Sequence, residues 1–314
     1  MTITFRPALR ENVGLLIGMI GPSGGGKTYS AMRLASGLSN GKPFAVIDTE
    51  SRRALHYADM FKFDHAELHA PFRPDAYAEA IKAADAAGYP VVVVDSCSHE
   101  WAGEGGILDW QEEELTRMAG DDYRKREACK MAAWIRPKMS HKQMMQRLLQ
   151  VKAHLILCFR AEEKTGMEKD ANGKTVIVQK GWQPICEKNV PYELGMSFLL
   201  TPDHPGIGQP LKLQEQHRKL FDLNQPIDEK AGQRLAEWAA GGTKAPGHGG
   251  THMREENNAP EGQISPDQSV YISDILSGHA DLKAKIVKKY GSIAKIPLAQ
   301  YQPALDWIRQ QIGE

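Results

Sequence analysis

The chain has 314 residues, with 39 basic and 39 acidic side chains and a formal net charge of zero. Hydrophobic residues make up 41% and charged residues 25%, a balance that builds a buried core and excludes collagen-like, disordered and disulfide-stapled classes. A zero sum also excludes a uniformly cationic nucleic-acid coat, while leaving local basic patches open.

No apolar run approaches the roughly 18–20 residues that span a bilayer. The opening MTITFRPALRENV lacks the apolar stretch of a signal peptide. The expectation is a cytoplasmic protein without a membrane partner. Cys97, Cys129, Cys158 and Cys186 are far apart, with no CxxC pair, and are expected as reduced thiols. His248 and His252 lie in a glycine-rich stretch with no carboxylate or cysteine nearby. They are expected as linker residues, not metal ligands.

Gly14 to Ile20 is an apolar run ending at glycine, and reads as a strand. Lys27 to Leu38 carries Ala31, Leu34, Ala35 and Leu38 at helical spacing. PFAVID at 43–48 predicts a short buried strand, and 65–69 alternates weakly as another. Pro74 to Ala87 is alanine-rich, with Pro74 and Asp75 suited to a helix start. PVVVVD at 90–95 predicts a central parallel strand buried on both faces. Residues 101–135 are charged and mixed, and helical in part. Pro137 to Gln150 predicts a helix with Met144, Met145, Leu148 and Leu149 on its apolar face. AHLILCF at 153–159 reads as a buried strand. DANGK followed by TVIVQ predicts a hairpin, because Asn-Gly favours a tight turn. Short strands follow at 194–200 and 211–213, then a helix at 227–239 opened by Asp228 and Glu229. Strands alternating with helices predict an α/β fold with a mostly parallel sheet.

Composition changes between 241 and 264. GGTKAPGHGGTHMREENNAPEG has almost no large apolar side chains and is expected as a flexible linker. The predicted organisation is therefore a main domain over 1–240, a linker over 241–264 and a small all-α domain over 265–314. Ser265-Pro266-Asp267 is a helix-start signature. Ile272, Ile275 and Leu276 follow at helical spacing. A second helix is expected near 281–290. A third opens at Pro297, with Leu298, Tyr301, Leu305, Trp307 and Ile308 as core candidates.

Gly21-Pro22-Ser23-Gly24-Gly25-Gly26-Lys27-Thr28 satisfies GxxxxGK[ST], between a predicted strand and a predicted helix. Glycines let successive N–H groups turn toward phosphate oxygens, and the helix N-terminus adds partial positive charge. Lys27 is placed to reach the β and γ phosphates of ATP, and Thr28 to offer a hydroxyl to Mg²⁺. Tyr29 follows at the edge of this nucleotide loop. Asp95 ends the PVVVVD strand, where an acidic residue holds the magnesium of a P-loop ATPase. Such an enzyme also needs a base or water-orienting group near the γ phosphate. Glu50, directly after the Val46–Asp48 strand, and Glu100, just after the Asp95 strand, are the two candidates.

Together these residues resemble the RecA-type ATPase core: GPSGGGKT, VIDTE, VVVVDS and LILCFRA occur in that family's order. The closer resemblance is to short RecA-like ATPases of bacteriophages that act in single-strand annealing and recombination. VIDTESRRALHYAD, APFRPDAYAEAI, VVVVDSCSHEW and KGWQPICEKNVPYE carry it, over roughly residues 12–240. The resemblance implies a RecA-like P-loop ATPase core, with Glu50 in the usual catalytic position. Arg160 falls at the polar sensor of the γ phosphate, where RecA itself commonly has glutamine. Lys180 and Lys188 fall where relatives offer a cation to a neighbour's nucleotide. Assembly into a homo-oligomeric ring or filament on single-stranded DNA is implied too.

In such proteins two stretches hold DNA, here 101–136 and 161–181. The first contains Arg117, Arg124, Lys125, Arg126, Lys130 and Arg136, of which Arg124-Lys125-Arg126 is the densest patch. Glu112 to Glu114, Asp121 and Asp122 share that stretch, so a solvated mixed-charge helix is the alternative. The second contains Lys164, Lys169, Lys174 and Lys180, followed by Trp182. Basic residues beside aromatics suit a single-strand groove. The C-terminal module resembles helical tails of phage recombination proteins, which implies a single-strand-binding protein as its partner. Lys283, Lys285, Lys288 and Lys289 give it a basic face, open to DNA or an acidic partner, with a plain solvated helix face as the favoured reading. Two other functions stay open on these residues: a nucleotide-gated annealing module with negligible turnover, and a P-loop kinase of a small molecule.

Overall fold

A computed structural model describes residues 10, 13–169, 173–241, 263–276 and 279–312. The chain divides into two compact units, Met1–Pro246 and Gly247–Glu314. His248, His252, nearly all of the expected linker and the turn residues 170–172 lie outside the described residues.

The first unit is an α/β sandwich. Its strands are β1 (Leu16–Gly21), β2 (Phe44–Asp48), β3 (Phe63–Glu67), β4 (Val91–Asp95), β5 (His154–Lys169), β6 (Thr175–Pro184), β7 (Met196–Leu199) and β8 (Gln209–Lys212). The sheet runs β3-β2-β4-β5-β1-β7-β8, with β6 paired to β5 off this path. Pairings from β3 across to β7 are parallel, while β8 on β7 and β6 on β5 are antiparallel. The helices are α1 (Lys27–Leu38), α2 (Pro74–Ala86), α3 (Ser98–Ala102), α4 (Ile107–Ala119), α5 (Tyr123–Cys129), α6 (Ile135–Leu148), α7 (Val190–Glu193), α8 (Glu215–Arg218) and α9 (Glu229–Ala240).

Every residue of β2 and β4 is buried, because helices cover both faces of the sheet. On one face Leu34 and Leu38 of α1 and Leu235 of α9 pack on Val91, Val93 and Ile156. On the other, Tyr77 and Ile81 of α2 and Met144, Met145 and Leu148 of α6 pack on Val92, Val94 and Leu157. Unbroken Val and Ile runs are what a strand buried on both sides requires. Helices α1 and α9 approach closely. A Cβ on Gly37 would stand 1.9 Å from the Glu229 carbonyl oxygen, and one on Gly232 would stand 2.3 Å from that of Leu34. Asp228 caps α9 by accepting from the Ala231 amide at 2.9 Å.

The strand expected over 153–159 is longer than predicted. Past Ala161, β5 leaves the sheet and forms a projecting hairpin with β6. The β5 segment past Ala161 is polar apart from Met167 and nearly all exposed, so it carries no core-facing alternation, and only the ladder with β6 makes it a strand. The apolar pair Met167 and Ile177 lies opposite in register, 77% and 74% exposed. Thus residues 161–169 and 175–184 pair as a β-ribbon.

The second unit contains α10 (Pro266–Ile275), α11 (Ala280–Tyr290) and α12 (Tyr301–Ile312). Ile272, Leu276, Ile286, Ile296, Leu305 and Ile308 form its core. The Ser265 hydroxyl accepts from the Gln268 amide, and the Gln268 side chain accepts from the Ser265 amide, a capping box. Leu298, expected in this core, is 54% exposed. It sits in the short turn before α12, outside the helical period that buries Leu305 and Ile308.

Candidate active site

The site lies where the parallel strands end. Register places Gly21 beside Arg160, Cys158 beside Asp95 and Asp95 beside Asp48. Four adjacent strands therefore deliver their terminal residues to one edge. Strand β5 stands between the strand that feeds the glycine loop and the strand that carries Asp95.

Gly24 and Gly26 have φ of 84° and 85°, the left-handed region that glycine enters freely. A Cβ on Gly25 would stand 2.2 Å from the Leu200 carbonyl oxygen at the end of β7. The loop thus folds tightly against the sheet before α1 begins at Lys27. The Lys27 ammonium donates to the Pro22 carbonyl at 2.7 Å. Burial pulls it below the usual lysine value, with Asp95 and Glu50 among the charges opposing that shift. Thr28 Oγ1 donates to Asp95 Oδ2 at 2.5 Å. Burial pushes Asp95 up to about 6, opposed first by that hydrogen bond and reinforced by the charge of Glu50. A hydroxyl beside a carboxylate is a hard-oxygen donor set that suits Mg²⁺, and a loop with no room for side chains suits phosphate.

Glu50 is held from both ends. The buried Asp48 carboxylate accepts from the Glu50 amide at 2.6 Å, the Ala54 amide at 3.0 Å and pairs with His65 at 3.2 Å. Ser51 and Arg52 then take φ of 55° and 66°. Two consecutive non-glycine residues in the left-handed region cost of order 1–3 kcal/mol each and persist where surrounding contacts impose them. At the other end, Arg160 donates to Glu50 Oε1 from Nε at 2.9 Å and Nη2 at 2.8 Å. Arg53 donates to Oε2 at 2.6 Å.

Glu100 lies elsewhere. It is buried beneath α6, where His141 Nδ1 meets its Oε1 at 2.8 Å, among Tyr77, Ile81, Met144 and Leu157. Burial pulls His141 down, but the hydrogen bond and charge of Glu100 outweigh it, so the net shift is upward. Of the two candidate carboxylates, only Glu50 shares a cleft with Lys27 and Asp95.

That cleft has a volume of about 640 Å³, and Ser23, Thr28, Tyr29, Glu50, Arg53, Tyr57, Asp95 and Arg160 are among its walls. Tyr29 packs on Tyr57 and on Phe61, each with ring centroids 5.7 Å apart. Arg53, Tyr57 and Ile185 were not among the sequence candidates. Arg53 and Tyr57 sit in a single 3₁₀ turn that offers no amphipathic period to detect. Only their nearness to Glu50 in the chain could have drawn attention to them.

A glycine loop joined to a strand and a helix, with Thr28 touching an acidic strand end, is the arrangement of a P-loop nucleotide-binding domain. The family described as AAA domain matches residues 14–195. The chain belongs to this family. The AAA domain so defined covers β1 through α7, and so holds the glycine loop, Glu50, Asp95 and Arg160. No curated protein matches the chain.

The residues expected to hold DNA are dispersed around this AAA domain. Arg124 and Lys125 are exposed on α5. Arg126, expected beside them, turns back to Glu112, Thr116 and the Gly120 carbonyl. Arg117 and Arg136 both pair with Glu114, and Lys130 with Glu127. On the ribbon, Lys164, Lys169, Lys174 and Lys180 are all exposed, and Lys164 pairs with Glu162 at 3.2 Å. Lys188 is exposed in the segment before α7. Among the described residues, no helix is long and apolar enough to cross a membrane.

Proposed function

We propose that this chain is a Mg²⁺-dependent ATPase that binds single-stranded DNA and assembles as a homo-oligomer upon it, of the phage recombination and annealing type. The observation that carries the ATPase reading is the convergence of Lys27, the Thr28–Asp95 pair and the Glu50–Arg160 pair on one cleft. ATP with Mg²⁺ supplies the cleavable anhydride and the neutralised phosphate oxygens. Lys27 and the amides of the glycine loop bind phosphate, and Thr28 and Asp95 hold the metal. Glu50 orients water and accepts its proton. Arg160 offers positive charge where negative charge develops. Tyr29 and Tyr57 provide aromatic surface for the base.

The DNA part of the reading rests on the resemblance across the whole first unit and on exposed Arg124, Lys125, Lys169 and Lys174. Cations interspersed with carboxylates in a chain of zero net charge imply weak binding alone and tighter binding when ATP assembles several copies. In that assembly Lys180 or Lys188 reaches a neighbour's nucleotide. The second unit is the expected contact for a single-strand-binding protein.

The test is ATP turnover with and without single-stranded DNA, together with DNA binding with and without ATP. DNA-stimulated turnover and ATP-dependent DNA binding support the proposal. DNA binding without turnover favours a nucleotide-gated annealing module. Phosphoryl transfer to a metabolite, with no response to DNA, overturns it in favour of a kinase.

A further inference from the structure

A closed polar network lies behind the Glu50 turn. Thr49 is buried, and its hydroxyl meets three groups. Oγ1 accepts from the Ser96 amide at 2.8 Å, donates to the Ser96 carbonyl at 3.1 Å, and lies 2.8 Å from His99 Nδ1. A hydroxyl has one proton and two lone pairs. With its proton on the Ser96 carbonyl, its remaining lone pair accepts from Nδ1–H of His99. All three capacities of Thr49 are then used, and the Nδ1 of His99 carries a proton. Burial, then the charge of Arg160, hold His99 below its usual value against the pull of Glu50. Those shifts favour a neutral ring. The Thr49 amide also donates to the Asp95 carbonyl at 2.8 Å, and Tyr77 donates its hydroxyl to the Ser96 carbonyl at 3.1 Å.

The far side of this network faces the segment after β4. His99 belongs to α3, and its ring packs on Phe72 with centroids 5.1 Å apart. The Phe72 amide donates to the Glu104 carbonyl at 2.9 Å. The chain then wraps closely round His99: Cβ atoms on Gly103 or Gly106 would come within 2.7 Å of its atoms. A shift of the chain leading into α4 therefore displaces His99, and through it Thr49, the residue before Glu50.

We infer that His99 is a positioning residue for Glu50, acting through the Thr49 hydroxyl, and that it couples the α3–α4 segment to the hydrolytic carboxylate. This rests on the ATPase reading above. The imidazole touches no reacting atom; it holds the backbone at Thr49, and so the direction in which the Glu50 side chain leaves the strand end. Displacement of a reacting group by about 1 Å lowers rates up to about 100-fold, so a partial loosening is expected to cost about tenfold.

The test is steady-state ATP hydrolysis by the full chain carrying Thr49→Val, His99→Ala or both. Each single change is expected to lower kcat about tenfold with KM within about twofold, and the double variant to be no slower than the worse single. His99→Asn keeps an N–H donor at the Nδ1 position and is expected to restore most of kcat. His99→Gln places its donor further out and is expected not to. The Asn and Gln pair carries the same test if His99→Ala fails to fold. Wild-type kcat in the single variants, loss through KM alone, multiplicative losses, or equal rates for Asn and Gln each overturn the inference. Glu50→Gln is assayed alongside. If it hydrolyses normally, the ATPase assignment of Glu50 fails, and the inference with it. If it is inactive while the His99 and Thr49 variants run normally, only the coupling fails.

Discussion

Arg160 and Glu50 are 110 residues apart and meet through two hydrogen bonds onto one carboxylate oxygen. Strand β5 brings Arg160 to the sheet edge beside Gly21, and the turn after β2 brings Glu50 to the same place. The pair joins a carboxylate and a guanidinium in one unit at the cleft. Glu50→Gln is expected to leave ATP binding within a few-fold and to lower hydrolysis about 100-fold or more, the scale of a lost general base. Arg160→Ala is expected to lower kcat about 10- to 100-fold through lost charge stabilisation. Equilibrium nucleotide binding and single-turnover hydrolysis separate the two effects.

Glu100 gives the opposite signature. Its carboxylate is buried against His141 and away from the cleft. Glu100→Ala strands a buried histidine without its partner, and breaking such a pair costs about 3–5 kcal/mol. Urea denaturation is expected to show a loss of that order at pH 7. ATP affinity of the folded fraction is expected to stay near wild type.

On the proposed metal role, Asp95 is expected to set an acid limit on Mg²⁺ binding. Its value of about 6 means that a proton and Mg²⁺ compete for the carboxylate near that pH. Mg²⁺-dependent hydrolysis is expected to fall as pH drops through about 6, and higher Mg²⁺ is expected to move the midpoint lower. The stability sign is the reverse. The folded value lies above the ordinary 3.8, so this group's contribution is complete below 3.8 and lost as pH rises through about 6. Activity lost near pH 6 is thus expected without unfolding caused by Asp95, and circular dichroism across the same range checks this.

Arg124 and Lys125 test the DNA surface without disturbing the fold, since both are exposed on α5. Arg124→Glu with Lys125→Glu is expected to weaken single-strand binding. It is also expected to flatten the logarithmic salt slope by about 1.4, at about 0.7 per phosphate contact on single strands. Arg126→Glu is a different experiment, because it breaks the contacts to Glu112 and Gly120 that hold α5 against α4. Its expected effect is lower thermal stability.

The glycine loop, the α/β alternation and the central VVVVD strand were legible in the sequence because each is a local signal. A P-loop needs its glycines and lysine at fixed spacing within eight residues, and a doubly covered strand must be apolar at every position. The capping box at Ser265 and Gln268 is local in the same way. The extension of β5 past Ala161 was not legible as strand, because a segment facing solvent on both sides has no reason to alternate. Leu298 was misjudged for a related reason: an apolar residue in a one-turn helix has no period to assign its face.

By itself, the sequence determined that this chain folds an α/β P-loop domain, and it singled out Lys27, Thr28 and Asp95, which line one cleft. It offered Glu50 and Glu100 as two acids just past buried strands, and the family resemblance favoured Glu50. The tertiary structure gave them different surroundings. The strand order puts β2, β4, β5 and β1 side by side, so Glu50 meets Arg160 at the open edge, while α3 turns Glu100 down toward His141. It likewise brought Arg53 and Tyr57 into the cleft and joined His99 to Thr49. Charge and hydrogen-bond partners set the chemistry of a carboxylate, and residues distant in the chain supply them.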